Sequence, residues 1–372
     1  MFKPAGILAC GLVVLAGCTT APHHPTPPPR TGEVTPPDWG SVPAEQPAPV
    51  PPPVVTEPPH ETITAPALPT APEMKWLSLN RWREERRLGE LRRLAVPPLE
   101  SYALSTTNGA LIVTAGSRTA YWDGLEIRLG FTPQMIDGQV FVHALDARKN
   151  FEPLLRGLDL PARTNRVIVI DPGHGGSNPG ARSVADGRLE KEFTLDWARR
   201  LAPLLEERGW RVFLTRANDV GVSLADRVAF AERQHADLFL SLHFNSLDGD
   251  GREQAGLETY CLTPTGMPSS LMRGGSDDAS QIFPNNAYDE PNLQYAVRLH
   301  RALLAVNGDV DRGVRRARFP GVLRGQQRPA VLVEGGYLSN PREARRIADP
   351  AYRQKLAAAV ADALGTKMEN GR

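Results

Sequence analysis

The sequence predicts an α/β fold over residues 165–366: a mostly parallel sheet flanked by helices on both faces, preceded by a small β-rich domain and a Pro-rich disordered linker. Three observations predict it. Strand-like runs "RVIVI", "WRVFLTR", "ADLFLSLHF", "GLETYCL" and "PAVLVEGG" alternate with helix-like segments, the rhythm of a sheet covered on both faces. Ahead of them, short strand-like runs are separated by Asn-Gly and Asp-Gly turn signals. Further upstream, about half of the 35 prolines fall between residues 19 and 73, where no periodic apolar pattern exists.

In chain order, "MFKPAGILACGLVVLAGC" has a short basic start and an apolar run too short to span a bilayer comfortably, which fits an export signal over 1–17. Its "LAGC" ending resembles a bacterial lipobox, which implies acyl chains on Cys18 and a membrane tether without a spanning helix. Residues 18–75 then read as an extended leash. At about 3.1 Å per residue, fifty polyproline II residues reach on the order of 150 Å. His23 and His24 within it read as solvated tail.

Residues 76–160 open with an expected helix around Leu79–Leu94, whose "RWREERRLGELRR" mixes both charges and reads as a solvated face. The β-rich remainder resembles the copper amine oxidase N-terminal-like modules found beside cell-wall enzymes, a likeness of pattern that brings no site residue. His143 alternates with Val142 and Ala144 and reads as a strand residue.

The helices expected in the α/β part are "LEKEFTLDWARRLAPLLEERG", "SLADRVAFAERQHA", "NLQYAVRLHRALLAVNG" and "PAYRQKLAAAVADALG". Ser223 and Asp226 form a capping box for the second. Pro203 inside the first should kink it, at about 3 kcal/mol. His235 and His300 lie on or beside helices and read as structural.

Composition excludes some classes. The chain has 372 residues and a net charge of +1, which gives no electrostatic reason for nucleic acid as a partner. Three cysteines are present. Cys10 would leave with the signal and Cys18 would be blocked, so Cys261, in a strand, reads as a small buried hydrophobe and no cysteine metal site can form.

The chemistry-bearing groups stand where strands end, which is where sites form in such sheets. His174 follows "VIVI", His243 closes "DLFLSL", and Glu334 ends "PAVLV". Glu190 opens the first helix and can face the same crevice. Two imidazoles and a carboxylate are a common catalytic zinc set with open positions. Glu334 is then left to take a proton from water that the ion activates. Glycines around His174 would let backbone and substrate approach closely. A tight turn with a surface histidine is the plainer alternative. "DPGHGG" also lacks the lysine of a P-loop and the spacing of a dinucleotide fingerprint.

The motifs "VIVIDPGHGGSNPGAR", "LEKEFTLDWARRL", "FLTRANDVGVSLADRVAFAERQHADLFLSLHFNS", "GLETY", "DRGVRRARF" and "PAVLVEGGYLSNPRE" occur in that order over about 165–365. This series resembles the zinc-dependent N-acetylmuramoyl-L-alanine amidases. The resemblance implies zinc as cofactor, with His174, Glu190 and His243 as metal ligands and Glu334 as the catalytic residue. It implies hydrolysis of the amide between N-acetylmuramic acid and L-alanine in peptidoglycan. Glu192 is the competing ligand candidate, but the motif points to Glu190. Relatives more often carry valine and phenylalanine in place of Gly335 and Tyr337, a difference expected at the pocket floor. Some relatives carry an inserted element near 263–291 that blocks the metal, a role Asp277 or Asp278 would fill here; an open rim loop is the expectation.

The expected partners are peptidoglycan, a membrane through the lipid on Cys18, and an unidentified protein activator. The expected location is the cell envelope, anchored and facing the periplasm. A zinc peptidase or deacetylase shares this ligand chemistry, and a wall-binding protein with a silent site is the rival from another class.

Overall fold

The computed structural model describes residues 75–94, 100–157, 166–247, 253–271, 277–308 and 310–365. The expected signal over 1–17, Cys18 and the expected leash up to residue 74 lie outside the described residues.

The first described strands are β1 (Trp76–Ser78), then after helix α1 (Leu79–Glu85) β2 (Leu91–Leu94), β3 (Ser101–Ser105), β4 (Ala110–Thr114), β5 (Thr119–Trp122), β6 (Leu125–Arg128), β7 (Gln134–Ile136) and β8 (Gln139–His143). Strands β2 to β6 form an antiparallel meander, while β1, β8 and β7 form a separate three-stranded sheet. The turn signals work as their chemistry demands. Asp123-Gly124 and Asp137-Gly138 each make a two-residue hairpin loop with both residues at positive φ.

The helix expected over Leu79–Leu94 stops early. It ends at Glu85; Arg87 turns left-handed at φ +54, and Leu91–Leu94 pairs with β3 instead. The reason is tertiary: Leu91 and Leu94 are half-buried while Arg92 and Arg93 face solvent, so ladder pairing and apolar contact outweigh local helix propensity. His143 ends β8, accepts from Leu145 N at 3.2 Å and stacks on Phe131, a strand-end residue as expected. From it, α2 (Ala144–Asp146) runs through a π-helical turn, Ala147–Phe151, into α3 (Glu152–Leu155).

The second part comprises β9 (Arg166–Pro172), α4 (Glu190–Glu206), β10 (Trp210–Leu214), α5 (Leu224–Arg233), β11 (Leu238–Asn245), β12 (Leu257–Leu262), α6 (Asp289–Asn307), β13 (Asp311–Ala317), α7 (Gly321–Arg324), β14 (Ala330–Tyr337), α8 (Pro341–Ala348) and α9 (Pro350–Leu364). One sheet runs in the order β10-β9-β11-β14-β12-β13-β6-β5-β4-β3-β2. Strands β10, β9, β11 and β14 are mutually parallel; β12 is antiparallel to β14, and β13 is parallel to β12. The expected largely parallel sheet is therefore two blocks of opposite direction. At Val314–Ile127, β13 pairs with β6, so the meander extends the same sheet.

Alternation along the strands separates the two faces. Ile168, Ile170, Leu240, Leu242, Val331 and Val333 join Trp197, Leu201, Leu299 and Leu356 of α4, α6 and α9. Val167, Val169, Phe239 and Leu332 face the other way, onto Ala231 of α5 and Val322 and Leu323 of α7. Cys261 is fully buried in β12. Pro203 falls in the last turn of α4, which continues to Glu206; Glu207 N still closes onto the Pro203 carbonyl at 3.0 Å. Ser223 Oγ caps α5 by accepting from Asp226 N at 3.1 Å and donates to Asp226 Oδ2 at 2.7 Å. No described helix is long and apolar enough to cross a membrane.

Candidate metal centre

Helices α5 and α7 pack on one end of their sheet face. Nearer the carboxyl ends of the parallel strands the same face turns polar. Continuing the alternation from Val167 and Val169, Asp171 points to this face; from Phe239, so do Ser241 and His243; from Leu332, so does Glu334. The strands thus change from apolar to polar side chains as they leave the helices.

Three of the predicted groups converge. Glu190 Oε1 lies 3.0 Å from His174 Nε2 and 3.0 Å from His243 Nδ1. One ligand atom from each of the three residues can be chosen so that all lie within 4.8 Å of one another. Glu190 comes from the first turn of α4 and is only 4% exposed. Its carboxylate is aimed by backbone donors: Phe244 N reaches Oε1 at 3.1 Å and Ala181 N reaches Oε2 at 2.9 Å. Burial alone would raise its pKa, but the hydrogen bonds and charge of the two imidazoles hold it well below the ordinary carboxylate range. For His174, burial pulls down while the Glu190 carboxylate and Asn178 pull up, and the net shift is upward. Asn178 Oδ1 receives His174 Nδ1 at 2.9 Å and Gly180 N at 3.3 Å. Nδ1 is thereby the donor, and Nε2 is left facing Glu190.

The glycines answer to contact. A Cβ on Gly173 would sit 2.5 Å from His243 Nε2, so only glycine lets that ring lie against the strand end. Gly180, at φ +67, would place a Cβ 2.6 Å from Glu190 Oε2. His174 itself holds φ +63, a left-handed backbone that a residue with a Cβ adopts only when its surroundings enforce it.

Glu192 does not join the cluster; its Oε1 accepts from Leu189 N at 3.2 Å and caps α4. Glu334 is 7% exposed and pairs in register with His243 on β11 and with Glu258 on β12. It stands one strand away from the trio rather than among the three. Glu258 is held by Arg312 Nε at 2.7 Å, Asn245 Nδ2 at 3.1 Å, Tyr337 OH at 3.3 Å and the Tyr260 hydroxyl.

Several expectations need correction. The described residues of 263–291 are not a rim of this site. Because β12 runs against β14, the chain leaves β12 at the far end of the sheet, where Asn285 Nδ2 bonds the Arg328 carbonyl just ahead of β14. Asp277 there pairs with Arg318 Nη1 at 2.6 Å and with Ser269, and Asp278 accepts from Ser280, so neither blocks the metal cluster. Gly335 is not pocket floor: a Cβ there would meet Trp197 and Phe244 on the opposite face. His300 is structural, as expected, bonding Thr259 Oγ1 and Asp311 Oδ1 at 2.9 Å each. Sequence reading missed Asn178, Gly180, Arg216, Arg227 and Glu258 as parts of the site. Only the spacing of Asn178, four residues past His174, offered a signal for any of them.

The donor set of two nitrogens and one carboxylate oxygen, fixed within reach of a single point, suits a zinc ion. The N-acetylmuramoyl-L-alanine amidase family pattern matches residues 168–366. The chain is 30% identical over 218 residues to the N-acetylmuramoyl-L-alanine amidase AmiA of Escherichia coli K12, covering 53% of this chain and 74% of that one. To LytC of Bacillus subtilis it is 33% identical, covering 53% of this chain but 34% of the relative. Among solved structures, the amidase AmiC2 of Nostoc punctiforme is 32% identical with a TM-score of 0.44, over 54% of this chain and 94% of that chain. The ordered motifs, the converged trio and the family match over more than half its length agree, and the chain belongs to the N-acetylmuramoyl-L-alanine amidase family of enzymes.

Proposed function

We propose that this protein is a zinc-dependent hydrolase that cleaves the amide between the lactyl group of N-acetylmuramic acid and L-alanine in peptidoglycan. His174, Glu190 and His243 would hold the ion. A bound zinc ion supplies Lewis acidity, acidifying water and polarising the scissile carbonyl. Glu334 accepts the proton from the attacking water and then delivers it to the departing amine, so one carboxyl serves as base and acid. Its burial and its register beside His243 suit a group that must shuttle a proton. Residues 1–17 act as signal, Cys18 carries the lipid, and 18–75 form the leash that lets the enzyme reach the wall from a membrane, on the periplasmic side.

The observation that carries this reading is the Glu190 oxygen 3.0 Å from both imidazoles, with Glu334 in register beside His243 on the next strand. The test is digestion of purified peptidoglycan with and without a chelator, products identified by mass. Stem peptides beginning with L-alanine and intact glycan strands, lost on chelation, are expected. Fragments cut elsewhere point to a peptidase or deacetylase instead. Glu334→Ala should keep one zinc and lose turnover; unimpaired hydrolysis rules out its role.

A further inference from the structure

Two buried arginines, absent from any ligand role, gather the backbone of the loop that carries His174. Arg227 Nη2 donates to the His174 carbonyl at 2.7 Å, Nη1 to the Pro172 carbonyl at 2.9 Å, and Nε to the Val222 carbonyl at 3.1 Å. Arg216 Nε donates to the same Pro172 carbonyl at 2.9 Å, and its Nη2 to the Gly173 carbonyl at 2.7 Å. Three consecutive carbonyls are thus collected by two guanidinium groups.

The second set of bonds ties that loop to a different ligand. Arg216 Nη2 also donates to the Lys191 carbonyl at 2.8 Å and to Thr194 Oγ1 at 3.0 Å, both in the first turns of α4, which begins at Glu190. Thr194 Oγ1 in turn donates to the Gly173 carbonyl at 2.9 Å. One guanidinium therefore fixes the spacing between the loop that bears His174 and the helix that bears Glu190.

Charge makes this placement informative. Two cations beside a site for a dication oppose its binding, and Asp171, ion-paired with Arg227 and receiving Thr215 and Ser241 hydroxyls, offsets only one of them. What arginine supplies here is its planar fork of donors, which lysine cannot reproduce. A left-handed His174 persists only if its surroundings over-determine it, and these bonds do so.

We propose that Arg216 and Arg227 are positioning residues that lock residues 172–174 and the start of α4 into their ligand-ready arrangement before any ion arrives. The inference rests on the metal reading above. The test uses the full chain, stripped of metal, as wild type, Arg216→Lys, Arg227→Lys and Thr194→Val. Zinc affinity is measured by competition with a chromogenic chelator, and amide exchange of residues 173–176 is followed in the metal-free state. The lysine variants keep the charge, so the dissociation constant should rise about 10–100-fold, the range for lost outer-shell contacts, with faster exchange in the loop. Thr194→Val should move both readouts in the same direction by less. Folded lysine variants with wild-type affinity and exchange overturn the proposal. Should they fail to fold, Thr194→Val with both readouts at wild-type values overturns it equally. A wild-type chain that binds no zinc sinks the metal reading, while loop exchange in the variants still decides whether the clamp exists.

Discussion

The two ends of the sheet use one device for different purposes. At the metal end, Arg216 and Arg227 collect the carbonyls of residues 172–174. At the far end, Arg318 collects the Pro264 and Met267 carbonyls at 2.9 and 2.7 Å, and Arg316 that of Lys149 at 2.8 Å. Arg216, Arg227 and Arg318 each hold a loop that has no ladder of its own, while Arg316 ties the π-helical turn at Lys149 to the sheet. Yet among the described residues the only metal-competent cluster lies at the first end. Buried arginines make a loop rigid; a site requires in addition that strands and a helix start deliver donors there, with glycine wherever a donor must lie against the backbone.

Ways to break this comparison follow in order of expected effect. Glu190→Ala removes the central oxygen and should lower zinc affinity by more than the roughly 100-fold of an outer-shell loss, with hydrolysis abolished; metal content and turnover check it. Gly173→Ala should do nearly as much without touching a donor, because its Cβ displaces the His243 ring. Next comes the far end: Arg318→Ala strips the half-buried Asp277 carboxylate of its cation and frees the Pro264 and Met267 carbonyls, and should cost about 1–3 kcal/mol in denaturant unfolding, with zinc affinity unchanged. Loss of zinc in that variant would mean the ends are coupled.

A pH effect belongs to the far end too. Burial pushes Asp146 up to about 6, despite donors from Gly130 N, Phe131 N and Asn150. Its folded pKa is above the unfolded value, so its contribution to stability is full below about pH 4 and is lost as pH rises through about 6. A shift of about two units corresponds to about 3 kcal/mol. Unfolding free energies at pH 4.5 and 7 should therefore differ less in Asp146→Asn than in wild type. The smallest effect is Gly130→Ala, whose Cβ runs into Met267, a flexible side chain. It should cost about 1–3 kcal/mol and leave zinc affinity alone, in contrast with Gly173→Ala.

How much could be read beforehand follows the same division. His174 and His243 were legible because each ends a run of apolar residues, and a polar group in that place has few structural uses. Glu190 was legible from its place at a helix start. The strand "DRGVRRA" was not, since its arginines break the apolar pattern that marks a buried strand, whereas Arg315 and Arg316 are buried against Glu258 and backbone carbonyls. Direction was equally hidden. Nothing in "GLETYCL" says that β12 runs against β14, and that single fact sends the described residues of 263–291 to the wrong end for a rim. Local pattern reports burial; it does not report which way a strand points or which partner satisfies a buried charge.

The parallel pairing of Val314 with Ile127, backed by the Glu126 N donation to Asp311 Oδ2 at 2.8 Å, has a practical consequence. Trimming the protein to its family-matching half would strip β13 of its neighbour and leave a bare row of amide and carbonyl groups at the border of the sheet. Such borders recruit other chains. A truncated enzyme should therefore self-associate as its concentration rises, and the upstream meander earns its place as a cover for that seam.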